Sequence, residues 1–128
     1  MSVKIISKKY SEQSKIGDIS KAIHGDTKIH IKGLVGSSLS FVVQALFQKS
    51  EHSFLLLCNE KEEAAYILND LEQLVGDQDV LFYPSSYRRP YQIEDTDNAN
   101  VLLRSEVLNR INSRQKPAII VSYPEALF

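Results

Sequence analysis

The sequence is short of the features that most readily declare a function. It has a single cysteine, Cys58, so no internal disulfide can form and the composition suits a reducing compartment. No apolar run approaches membrane-spanning length, and the first residues lack a secretory pattern, so the expected location is cytoplasmic. Charge of one sign is also lacking. Fifteen Lys and Arg against sixteen Asp and Glu leave a formal net charge of −1, with no global field to favour nucleic acid or an anionic membrane. The three histidines, His24, His30 and His52, show no ligand-like spacing with Cys58, which argues against a metal site. What remains is a 43% apolar chain with ordinary glycine and proline content, globular in character. Its 128 residues make one domain or a piece of one, long enough to bury a core.

The chain is organised around residues 28–47, KIHIKGLVGSSLSFVVQALF. Here Ile29 and Ile31 alternate with Lys28, His30 and Lys32, the pattern of a half-buried strand, and an apolar helix is predicted from about Ser38 to Lys49. Its stripe is Phe41, Val42, Ala45 and Leu46. Between strand and helix, Gly33 to Ser40 lies in register with the phosphate loop G-x-x-x-x-G-K-[S/T]. Gly33 keeps the first glycine and Ser40 the hydroxyl, but Ser38 replaces the second glycine and Leu39 the lysine. Leucine cannot neutralise phosphate, and a serine Cβ intrudes where backbone must approach it. Gly36 still permits a tight turn. The stretch therefore reads as the scaffold of a phosphate loop without its chemistry. On the motif alone, an ordinary strand–turn–helix with two glycines explains it better.

Elsewhere strands and helices alternate. Residues 1–26 form a polar lead-in, with a short helix from Val3 to Tyr10 and a second through Ile16, Ile19, Ala22 and Ile23, stopped by Gly25. The run SFLLLC, Ser53 to Cys58, predicts a strand buried on both faces. Asn59 stands as N-cap of a second crossover helix, with Glu62 completing a near capping box, and Gly76 ends that helix after Val75. The first turn, with Glu60, Glu62 and Glu63, suits the helix dipole. A strand at Val80 to Tyr83 leads into Pro84 to Asp97, an aperiodic loop long enough to suggest a purpose. Thr96 or Asp97 would cap a helix over about Asn98 to Ser113, its core face formed by Leu103, Val107 and Ile111. The last strand is Ala118 to Tyr123, and a helix start follows where the sequence stops, as if cut from a longer protein.

Alternation at this spacing predicts an α/β fold. Its three layers would be a parallel sheet of about four strands between flanking helices, on a degenerate P-loop NTPase, helicase-like plan, truncated from a larger domain. Residues 1–26 would be the helical lead-in and 27–128 the P-loop-like segment. The glycine loop, Asn59 and the long loop would then share the carboxyl end of the sheet, where such folds keep their function. In the long loop, Tyr83, Tyr87, Arg88, Arg89 and Tyr91 interleave rings and guanidinium groups that could stack bases and touch phosphates. Glu94, Asp95 and Asp97 place carboxylates beside them. Rings packing the loop and arginines pairing with those acids are the favoured reading, so any DNA contact should be weak and salt-sensitive. Ser37, Ser38 and Ser40 lack a His/Asp arrangement for nucleophilic catalysis, and Cys58 reads as a small core residue.

Four runs, GLVGSSLSFV, FLLLCNEKEEAAYILNDLEQL, VLFYPSSYRRPYQIEDTDNANVLLRSEVLNRI and AIIVSYPEALF, together resemble the N-terminus of the bacterial transcription-repair coupling factor family, in its Bacteroidetes-type branch. The resemblance covers about residues 15–128. It implies a segment of the module similar to UvrB, in which the nucleotide-binding residues are lost; Ser38 and Leu39 agree with that loss. The whole protein would be a DNA translocase that displaces stalled RNA polymerase and recruits UvrA, acting on double-stranded DNA. ATP and magnesium would belong to a motor elsewhere in the chain, and the UvrA-binding surface would lie beyond Phe128. For this segment the resemblance implies no cofactor, no catalytic residue and no membrane, its partner being the remainder of the UvrB-like module. The rival is an ATP-binding helicase domain, which requires a lysine where Leu39 stands; a DNA-binding module using the Tyr/Arg loop would need a basic surface.

Overall fold

The computed structural model describes residues 2–86, 96–114 and 116–128, and of Thr96 and Asp97 the backbone only. The chain divides into two compact units, Met1–His52 and Ser53–Phe128.

The first unit is helical. Helix α1 spans Val3–Ser11, near the short helix expected from Val3 to Tyr10, and α2 Ser14–Ala22 and α3 Ser38–Gln48 lie where the apolar spacing predicts helices. The Ser2 hydroxyl accepts the Ile5 N–H at the start of α1, and Gly25 returns its N–H to the Ala22 carbonyl just past α2. Both α1 and α2 pack on α3. The Tyr10 ring stacks on Phe41 with centroids 5.2 Å apart, while Ile16, Val42 and Ala45 are buried. Residues 28–32 form no strand, which corrects the expected count of four. Lys28 and Lys32 are exposed as the alternation predicts, but Ile29 and Ile31 are each 39% exposed as well. Alternation decides which face of a strand is wet; a strand also needs a ladder partner for its N–H and C=O groups. Among the described residues this segment has none.

The second unit is a small open α/β sheet. Strand β1 is Phe54–Leu57, β2 Val80–Phe82 and β3 Ile119–Ser122, all parallel in the order β1-β3-β2. Helix α4, Lys61–Val75, joins β1 to β2, and α5, Thr96–Ser113, precedes β3. The two connections run in opposite directions across the sheet, so right-handed crossovers place α4 and α5 on opposite faces. Contacts agree: α4 packs on β2 and β3, and α5 on β2. Under α5 lies a cluster of Leu81, Val107, Ala118 and Ile120, with Tyr83 against it. On the α4 side Ala64 and Leu71 are fully buried, as are Ile119 and Val121 of the central strand.

The run SFLLLC departs from the expectation of a strand buried twice. Leu55 and Leu57 are 61% and 54% exposed. Their register partners Ile120 and Ser122 set them on the α5 face, but β1 is an edge strand and α5 sits over β2 at the other edge. Helix α5 also corrects its assigned core face: Val107 is buried and Leu103 half-buried, but Ile111 is 50% exposed. An 18-residue helix is about 27 Å long, whereas the three-residue strand beneath it spans about 10 Å, so the helix overhangs its support. The cap of α4 shifts by one. Glu60, not Asn59, is the N-cap, and Glu63 rather than Glu62 reaches back, accepting the Asn59 N–H at 2.7 Å. The capping proposed for Thr96 or Asp97 concerns side chains outside the described residues.

The amino end of the sheet is tied by Asp79. Arg110 donates to its Oδ1 at 2.6 Å, Lys116 approaches the same atom at 3.1 Å, and Arg110 also bonds the carbonyls of Gln78, Lys116 and Pro117. Burial pushes the Asp79 carboxyl up, but hydrogen bonds and charge from Lys116 and Arg110 outweigh it and hold it below its ordinary value. A carboxyl depressed in the folded state adds stability above its unfolded pKa and loses it as pH falls through the folded one. Asp79→Asn should therefore lose on the order of 1–2 kcal/mol at neutral pH and narrow the gap to wild type in acid. Urea denaturation at neutral pH and near pH ~3 measures both; a gap that widens in acid would reverse the assignment.

Candidate functional site

Sequence reasoning points to two places, the glycine loop in the first unit and the carboxyl end of the sheet in the second. In the loop, Gly33 and Gly36 both take positive φ, 87° and 58°, which a side chain rarely tolerates, so the turn needs both glycines. The Ser38 hydroxyl folds back to accept the Val35 N–H at 2.7 Å, and the Ser38 N–H donates to the Val35 carbonyl at 3.2 Å. A phosphate cradle works by leaving successive N–H groups free to face the anion. Here one of those donors is taken by the residue standing in place of the second glycine. Ser40, which keeps the hydroxyl position, is 1% exposed, and Ser37 makes no side-chain cap to α3. Leu39 is half-buried. Because 28–32 is not a strand, this loop does not follow a strand's carboxyl end, contrary to expectation.

At the carboxyl end of the sheet the residues leading into the Tyr/Arg loop are firmly held. Ser122 donates its hydroxyl to the Tyr83 carbonyl at 2.8 Å, and the Ser85 N–H donates to the Tyr123 hydroxyl at 2.9 Å. From α5, Asn100 donates to the Ser85 carbonyl at 3.1 Å. Arg104 donates to the carbonyls of Pro84 and Ala126, both at 2.8 Å, while its guanidinium lies 4.1 Å from the centroid of the Tyr83 ring. Phe82 and Tyr123 meet at 6.1 Å. Tyr83 thus packs between the Leu81–Val107 cluster and the Arg104 guanidinium. Tyr87, Arg88, Arg89 and Tyr91, with Glu94 and Asp95, lie outside the described residues.

Sequence reading passed over Arg104, Asn100 and Tyr123. The available signal was position: Arg104 falls one turn before Val107, on the stripe otherwise assigned to the core. A guanidinium there needs buried acceptors, and the ends of β2 and β3 supply them. Cys58 closes β1 in a buried position; burial pushes its thiol up and the Glu63 carboxylate adds to this, leaving little thiolate for chemistry. His24 and His52 come together with ring centroids 5.6 Å apart, which their spacing does not foretell. Among the described residues no group of three His, Cys, Asp or Glu side chains is arranged to hold a metal, and no helix is long and apolar enough to cross a membrane.

Comparison with known proteins gives no match: no family profile fits the sequence, and no curated protein or solved structure is significantly similar to the chain.

Arg104→Met keeps the apolar stem but removes both carbonyl bonds and the ring contact. It should cost on the order of 2 kcal/mol, and Arg104→Lys should restore only part, because an ammonium lacks the planar fork that reaches two carbonyls. Calorimetric Tm values decide this; equal stability of the lysine variant and wild type would show that charge alone suffices.

Proposed function

We propose that this chain is a non-catalytic scaffold segment of the UvrB-like module of a transcription-repair coupling factor, on a degenerate P-loop plan. The observation that carries the reading is the self-closed glycine loop: Ser38 takes the Val35 N–H, and Leu39 stands where a phosphate-neutralising lysine would be. The four resembling runs suggest the family, and a parallel sheet with crossover helices on opposite faces supports an α/β plan, its three strands being one fewer than the reading asks for. RNA polymerase, UvrA and double-stranded DNA are partners of the whole protein. This segment's own partner is the rest of the module, in the cytoplasm. The motor that uses ATP and magnesium lies elsewhere in the parent chain, and the rival reading, an ATP-binding helicase domain, lacks its lysine.

Two measurements test the reading. Titration calorimetry with ATP and magnesium should give no saturable heat at millimolar nucleotide; a micromolar Kd would promote the helicase reading. In cells whose coding sequence for residues 1–128 is deleted, lesions on transcribed strands should lose their repair advantage over the opposite strand. An unchanged advantage would overturn the assignment to transcription-coupled repair.

A further inference from the structure

The first unit holds a cavity of about 400 Å³ that the repair reading does not use. It opens between α1, α2, α3 and the 31–34 segment, and that volume lies in the range of small-molecule sites. Its walls are apolar. Ile16 and Val42 are buried in its lining, with Ile19, Ile31 and Leu34 beside them. One wall is the Tyr10 ring, held in place by its stack on Phe41. Such a surface open to water favours an occupant with an apolar body.

The charged part of the lining is of one sign. Lys9 from α1, Lys15 from α2 and Lys32 from the loop all line the cavity and all three are exposed, as suits lysines that lay apolar stems on a wall and keep their ammoniums in water. Gln13 and the Tyr10 hydroxyl are the other polar groups of its lining residues, and no carboxylate is among the described residues that line the cavity. None of the three lysines makes an ion pair among the described residues, whereas neighbouring Lys8 pairs with Glu12 at 3.8 Å. Three residues of like charge from separate elements line one apolar opening in a chain whose net charge is close to zero.

We infer that this cavity binds a small anionic amphiphile, a medium-chain carboxylate whose apolar tail fills the Ile/Val/Leu/Tyr interior and whose head meets the lysines. A cation is repelled at the mouth. A neutral apolar molecule gains the walls but not the charge. A nucleotide would set a polar base and sugar against walls that offer few hydrogen-bonding groups.

Titration calorimetry with decanoate, below its micelle concentration, tests the inference on the full chain. Saturable sub-millimolar binding is expected. The triple variant Lys9→Gln, Lys15→Gln, Lys32→Gln alters only exposed side chains and should weaken binding about five- to tenfold. Decanol should bind wild type more weakly than decanoate does. In methyl NMR, shifts should be confined to Ile16, Ile19, Ile31, Leu34 and Val42. No saturation, equal binding by the triple variant, decanol matching decanoate, or shifts centred on exposed Leu55 and Leu57 would each overturn it.

Discussion

The second unit depends on β3. It is the one described strand with a neighbour on both edges, and all four of its residues are buried. Helices pack on both of its faces: α4 lies against one, and α5, seated over β2, brings Val107 against Ala118 and Ile120 on the other. A parallel ladder cannot be closed by a hairpin, so β3 can take its central place only after α4 and α5 have carried the chain across. β1 and β2, each paired on one side only among the described residues, inherit their positions from it. The exposure of Leu55 and Leu57 follows directly, because the cover is centred on β3 and β2 and runs out before the far edge.

Helix α5 holds both ends of this sheet with arginines six residues apart. Arg110 gathers the Gln78, Lys116 and Pro117 carbonyls and the Asp79 carboxylate at the amino end. Arg104 gathers the Pro84 and Ala126 carbonyls at the carboxyl end. Loop carbonyls just beyond a strand have lost their ladder partners and must find others. The planar guanidinium fork meets several at once, which a single hydroxyl or amide does not. The helix is thus less an apolar cover than a brace, and that explains why so much of its length carries exposed leucine and valine without loosening its attachment.

Much of this was legible from sequence, and the misses share a cause. Periodicity located α2, α3 and α4 because it records which side of an element is wet, and short apolar runs located the three strands. It does not record which neighbour an element has. Residues 28–32 alternate well yet lack a ladder partner; the SFLLLC run is apolar yet lies at an edge; Ile111 keeps helical register yet overhangs a short strand. Each error concerns a partner several tens of residues away. The one-residue shift of the α4 cap is of a different sort, since Glu62 and Glu63 are chemically alike and only backbone geometry selects the second. At the carboxyl end of the sheet, the aromatic and basic residues drew notice by composition. Arg104, a single arginine inside a stripe assigned as apolar, did not, although it holds the loop's entry.

The glycine loop shows how a turn can close on itself. Gly33 and Gly36 take the positive φ values that bend the chain into α3. Where the donors of such a turn point decides what it can bind. A loop with free N–H groups at a helix N-terminus attracts anions without further help. Once a serine side chain stands within reach, its oxygen competes intramolecularly and is always present, whereas a phosphate must come from solution. Ser38 also removes an unsatisfied N–H that would otherwise depend on water. A serine in this position therefore stabilises the empty loop and opposes an anion that would use the Val35 N–H.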